Sequence, residues 1–161
     1  MNGLTLAERY FECYCGELLG GEFAPWRERI AVGLAGDGSD CLGFDDEQSR
    51  DHDWGPGFCL WLTNTDYATI GASLQRAYER LPKSFGGFER STTEWGGGRV
   101  GALEIGAWYK QFLGHPDGPQ TLFDWLRIPE KNLAACTSGR VFHDPLDEFS
   151  RRRRALLAFY P

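Results

Sequence analysis

The chain has 161 residues, 42% hydrophobic and 25% charged, with 17 Lys and Arg against 23 Asp and Glu for a net charge of −6. This is the balance of one globular domain spanning residues 1–161, and it excludes a disordered segment, a collagen-like fibre and a coiled coil. No basic surplus argues for non-specific nucleic-acid binding, and no apolar run nears the ~18 residues of a membrane span.

Met1 to Tyr14 carries Glu8 and Glu12, unlike a signal peptide. Five cysteines with no Cys-x-x-Cys pair then read as free thiols of a cytoplasmic protein, not a disulfide scaffold or zinc ribbon. Thr5 with Glu8 has the form of a capping box, followed by Leu6, Tyr10, Cys13 and Tyr14 at helical spacing. Gly20-Gly21 closes that helix. Ile30 to Leu34 reads as a buried strand, and so does Gly57 to Leu62. Tyr67, Ile70, Leu74, Ala77 and Leu81 line one face of a helix from about Thr65 to Leu81, ended by Pro82.

Phe88 to Thr93 and Arg99 to Ile105 read as strands on either side of Gly96-Gly97-Gly98. Ala107 to Leu113 is a short aromatic helix stopped by Gly114. Thr121 with Asp124 forms a second capping box, and Pro129 opens a helix to about Cys136. Asp144 as cap and Pro145 as first residue begin the last helix, with Leu146, Phe149, Leu156 and Tyr160 inward. The order predicts an α+β (mixed α/β) domain, a small mixed sheet flanked by helices.

Chemistry concentrates between Gly36 and Asp53. Gly36 and Gly38 let backbone approach a ligand at the end of a strand, and Ser39 adds a hydroxyl. In an extended segment Asp51 and Asp53 share one face, close enough to hold a divalent cation between them. Hard oxygen ligands suit Mg²⁺ or Mn²⁺, with substrate phosphates completing the shell. An EF-hand is excluded, because Leu62 stands where its closing Glu belongs. Gly-Ser for phosphates and paired Asp for metal describe phosphoryl or nucleotidyl transfer.

Gly38-Ser39 opening a short helix after a strand, with Asp51-His52-Asp53 a dozen residues on, resembles the DNA polymerase β-type nucleotidyltransferase superfamily. Ala31 to Phe58 more closely resembles an uncharacterised bacterial family of that superfamily, known only as a domain of unknown function. Asp124 to Glu130, Gly139 to Phe142 and Tyr160-Pro161 carry the same likeness. The resemblance implies a nucleotidyltransferase-like fold, Mg²⁺ (or Mn²⁺) and a nucleoside triphosphate as co-substrate. It implies Asp51 and Asp53 as metal ligands, Gly36, Gly38 and Ser39 as triphosphate contacts, and a third carboxylate on a neighbouring strand, for which Glu104 is the match. That carboxylate would help hold the metal or act as general base. The chain departs from the pattern in two places. Arg50 precedes the first Asp where relatives carry Ser, and the helical part expected beyond Pro161 is lacking.

The acceptor hydroxyl belongs to a small molecule or a protein more readily than to nucleic acid, and a homodimer is compatible with the sequence. Two rivals stand beside this reading: a truncated or inactive relative serving as a protein-binding or regulatory module, and a metal-dependent phosphohydrolase. Asp45, Asp46 and Glu47 read as a solvated face, with repulsion of a wrong acceptor or added metal affinity as the alternative, and Arg99 and Lys110 as surface charge, or as cations that reach triphosphate oxygens if they flank the cleft. Arg151 to Arg154 are accounted for by pairs such as Asp147 with Arg151 and Glu148 with Arg152. Trp54, Trp61, Trp108 and Trp125 read as core, with Trp54 the one placed to stack on a base.

Overall fold

The computed structural model describes residues 1–45, 54–90 and 99–159. The first half holds α1 (Gly3–Leu18), a 3₁₀ segment (Gly21–Arg29), β1 (Ala31–Leu34), α2 (Ser39–Leu42), β2 (Cys59–Leu62) and α3 (Asn64–Glu79). The second holds β3 (Ser84–Phe85), β4 (Phe88–Glu89), β5 (Gly101–Glu104), α4 (Ile105–Leu113), α5 (Leu122–Arg127), α6 (Glu130–Thr137), β6 (Arg140–His143) and α7 (Glu148–Leu157). The architecture is α+β. One mixed sheet has the order β5-β2-β1-β6, and β3 and β4 form a separate pair. β1 runs antiparallel to both β2 and β6, whereas β2 and β5 are parallel.

Both central strands are buried along their whole length, which explains their unbroken apolar sequences. Alternate residues then serve opposite faces. Ala31, Cys59 and Trp61 pack with Trp108, Cys136 and Phe149 on one side. Val32, Leu60 and Leu62 pack with Tyr10, Leu74 and Tyr78 on the other. The sheet thus lies between α4, α6 and α7 on one face, and α1 and α3 on the other. The ring of Phe149 lies 3.8 Å from that of Trp61 in a stacked pair and 5.0 Å from that of Trp108.

Several local expectations are corrected. Asn2, not Thr5, caps α1, by accepting the Thr5 N–H at 2.9 Å. Tyr67 is exposed, and Tyr78 takes the inward place on α3 beside Ile70 and Leu74. Phe88 does not begin a strand paired with 99–105. It turns back on Phe85 through Gly86-Gly87, whose φ values of 60° and 84° suit a tight two-residue hairpin. β6 lies where no strand is predicted, because four residues with Arg and His among them show no apolar run. The last helix begins at Glu148. Asp144 still serves its start, accepting the Ser150 N–H at 2.8 Å, but Pro145 stays outside the helix. The Thr121–Asp124 capping box is present as read.

Phe149 is fully buried, and its backbone carbonyl also accepts the Tyr109 hydroxyl at 2.9 Å. Phe149→Ala is expected to lower the unfolding free energy by about 3–5 kcal/mol in a urea titration. A loss well below 1 kcal/mol (roughly one methylene's worth) would show that the aromatic stack does not hold the α7 layer.

Candidate functional site at one end of the sheet

β1 ends at Leu34 and the chain leaves it through Gly36, whose φ of 132° is one that side chains rarely adopt. Gly38 then stands at the N-cap of α2, and Ser39 is the first residue of its single turn. Gly43, left-handed at φ 80°, ends that turn. The Gly139 N–H donates to the Cys41 carbonyl at 3.1 Å and ties the turn to the approach of β6. Sequence and structure agree on this strand, glycine turn and short helix.

Beneath the turn lies an ion pair that the sequence reading missed. Asp40 is 3% exposed, and its carboxylate is bonded to the Arg99 guanidinium. The same Oδ1 accepts the Cys41 N–H at 2.8 Å. Arg99 reaches the turn from the approach to β5, crossing β2, and the Cys59 thiol donates to its backbone carbonyl at 3.1 Å. Arg99 is therefore not the surface charge expected. Burial works against its charge, but the Asp40 carboxylate more than offsets this and raises the guanidinium pKa. A Cβ on Gly38 would coincide with the guanidinium, so the absent side chain is what admits Arg99. No sequence signal joins residues 59 positions apart; the clue was only Asp following Gly-Ser.

Asp45 is a second correction. It is not solvated: its Oδ2 accepts the Gly3 backbone N–H and, at 3.2 Å, the Trp54 indole N–H. Trp54 is buried, with its ring 4.8 Å from Phe88 and edge-on to it. Asp45 and Trp54 flank residues 46–53, so the two described ends of that stretch meet at one carboxylate. Asp51 and Asp53 themselves lie outside the described residues, as do Asp46, Glu47 and His52. Arg90 secures the next turn, donating to the Pro56 carbonyl at 2.8 Å and to the Tyr10 hydroxyl at 2.7 Å.

Glu104 is not brought to this end. It pairs with Leu62 at the finish of β2, whereas β1 delivers the Gly38 turn beside the start of β2. Three strand residues separate the two levels, about 10 Å. Its carboxylate caps α4, accepting the Gly106 N–H at 2.8 Å and the Ala107 N–H at 2.6 Å. A helix N-terminus favours such an anion, and this explains the acidic residue between apolar neighbours. In the structure Glu104 serves as the N-cap of α4 and lies at the opposite end of β2 from the Gly38 turn. Lys110 is exposed on α4, which follows Glu104.

Among the described residues no group of three or more His, Cys, Asp or Glu side chains is arranged to hold a metal. The nearby thiols offer no nucleophile. Burial pushes the Cys59 thiol up to about 12, and burial together with the Asp40 carboxylate raises Cys41 further, so both stay protonated at neutral pH. No described helix is long and apolar enough to cross a membrane.

Residues 125–161 match a family described as a domain of unknown function, DUF4037. The match starts at Trp125 in α5 and takes in α6, β6 and α7. No curated protein and no solved structure matches the chain.

Asp40→Ala would leave Arg99 buried without its carboxylate and is expected to cost about 3–5 kcal/mol in urea unfolding. The double variant Asp40→Asn, Arg99→Met, which removes both charges, is expected to cost less. Equal losses would show that desolvated charge is not what the pair controls.

Proposed function

We propose that the protein is a Mg²⁺-dependent (or Mn²⁺-dependent) nucleotidyltransferase of the DNA polymerase β type, moving a nucleoside monophosphate from a nucleoside triphosphate to an acceptor hydroxyl. The observation that carries this reading is the chain path at one end of the sheet. β1 passes through Gly36 and Gly38 into Ser39 at the first position of α2. The hydrogen bond from Trp54 to Asp45 brings the chain back to the same end immediately after Asp53. The mixed sheet, with β1 antiparallel to β2 and β2 parallel to β5, supports the same fold type.

In this reading Gly36, Gly38 and Ser39 contact the triphosphate through backbone N–H groups and one hydroxyl. Asp51 and Asp53 hold the metal. Their hard carboxylate oxygens suit it, and Asp40 and Asp45 are already engaged with Arg99, Gly3 and Trp54. The bound metal supplies neutralisation of charge on the phosphate oxygens and the leaving pyrophosphate. The acceptor oxygen attacks the α-phosphorus, the bond to the bridging oxygen of the β-phosphate breaks, and the acceptor proton passes to solvent.

A second reading, a protein-binding or regulatory module, is favoured by one observation. Leu122, Phe123, Leu126 and Phe159 are each more than 70% exposed, and solvent-facing apolar groups in such numbers mark interaction surfaces. A dimer or hetero-complex broken by Leu126→Glu, with nucleotide binding absent, would favour it. A phosphohydrolase would release free phosphate and form no nucleotide adduct.

Calorimetry with ATP and Mg²⁺ tests the first reading. Wild type is expected to bind, and Asp51→Asn with Asp53→Asn to lose metal-dependent binding by roughly a hundredfold, the scale of removing one charged ligand interaction of 2–3 kcal/mol. Identical isotherms for the two proteins would remove the claim.

A further inference from the structure

We infer that the Asp40–Arg99 pair is a positioning device that sets the Gly38–Ser39 turn for an anionic polyphosphate, a role that rests on the nucleotidyltransferase reading above. Three observations place it there. The guanidinium fills the space that a side chain on Gly38 would occupy, so the turn's backbone lies directly against it. Asp40 is in α2 itself, one residue beyond Ser39, and is buried; it binds both Arg99 and the Cys41 N–H. The backbone of Arg99 is fixed independently, through the Cys59 thiol and through Gly101, whose N–H donates to the Phe58 carbonyl at 2.9 Å.

The physical consequence is a turn with little freedom. A backbone cradle binds an oxyanion well only if its N–H groups already point the right way, because reorienting them on binding costs affinity. A planar, delocalised guanidinium against a glycine fixes both the height and the tilt of that backbone. A lysine ammonium in its place keeps the charge and can still pair with Asp40, but it has neither the fork nor the flat face. The pair therefore controls the phosphate side of the site. The metal side belongs to Asp51 and Asp53, and neither Asp40 nor Arg99 is assigned to it.

The test measures the two sides separately on the full chain, with Mg²⁺-tripolyphosphate as one probe and Mn²⁺ alone, followed by electron paramagnetic resonance, as the other. Arg99→Lys retains the buried ion pair and is expected to fold. Asp40→Asn keeps the shape of the carboxylate and removes the charge that holds the guanidinium. Both variants are expected to weaken tripolyphosphate binding by roughly tenfold and to leave Mn²⁺ affinity unchanged. A melting curve shows that each is folded.

Wild-type tripolyphosphate affinity in folded Arg99→Lys overturns the positioning role while the nucleotidyltransferase reading stands. Equal loss of both probes also overturns it, since that is the mark of general disruption. If Arg99→Lys does not fold, Asp40→Asn decides by the same two readouts. Failure of wild type to bind either probe removes the underlying reading, and this inference with it.

Discussion

Two opposite charges taken out of water hold one end of this molecule together. Removing a carboxylate and a guanidinium from solvent is costly, and their attraction offsets that cost only if the geometry is kept. Asp40 belongs to the turn that leaves β1, and Arg99 to the segment that enters β5. Between them runs β2, so the pair fastens the two flanking strands across the one they share. Apolar burial is tolerant of small shifts; a buried ion pair is not. The turn after β1 consequently has a defined position, although it contains little more than glycines and a serine.

The two ends of the sheet differ in kind. At the start of β2 the polar groups are knit into a network: Asp45 accepts from the N-terminus of α1 and from Trp54, and Arg90 binds Pro56 and Tyr10. At the finish of β2 the one strand carboxylate, Glu104, is spent on satisfying the first N–H groups of α4. That contrast locates the candidate site better than any list of acids. Each oxygen of the Glu104 carboxylate already accepts one backbone N–H bond, which fixes its orientation toward α4.

What the sequence made legible follows from how local each signal is. The apolar runs of β1 and β2 are legible because those strands are buried on both faces. The Thr121–Asp124 box and the Gly114 stop are legible because a cap is written within four residues. Gly38-Ser39 at the head of α2 is legible for the same reason. The failures are non-local. β6 is four residues of mixed polarity, and only its pairing with β1 makes it a strand. Asp147 turns to Arg154, seven residues on, instead of Arg151, because it sits outside the helix at φ 58° and its side chain leaves at another angle. Glu148 with Arg152 does form as read, at 3.2 Å, since both lie inside α7. Glu104 shows the limit most plainly. An acid between apolar residues at a strand end has the same spelling as a metal ligand or as a helix cap, and only the register against Leu62 separates them.

α5 bears on how the two functional readings relate. It has six residues, none of them buried, and its start is held by the Thr121–Asp124 box. Isolated helices shorter than ~12–15 residues are marginal in water, so burial of an apolar face normally supplies what propensity does not. Here Leu122, Phe123 and Leu126 point into solvent, whereas Trp125 packs against the core and lies 5.4 Å from the ring of Phe159. The three exposed side chains therefore add little to the stability of the chain's own core. None of these side chains belongs to the Gly38–Asp40–Arg99 cluster, so the two surfaces can be altered one at a time. The exposed apolar face of α5 and the buried Asp40–Arg99 pair are thus physically separate features of the structure.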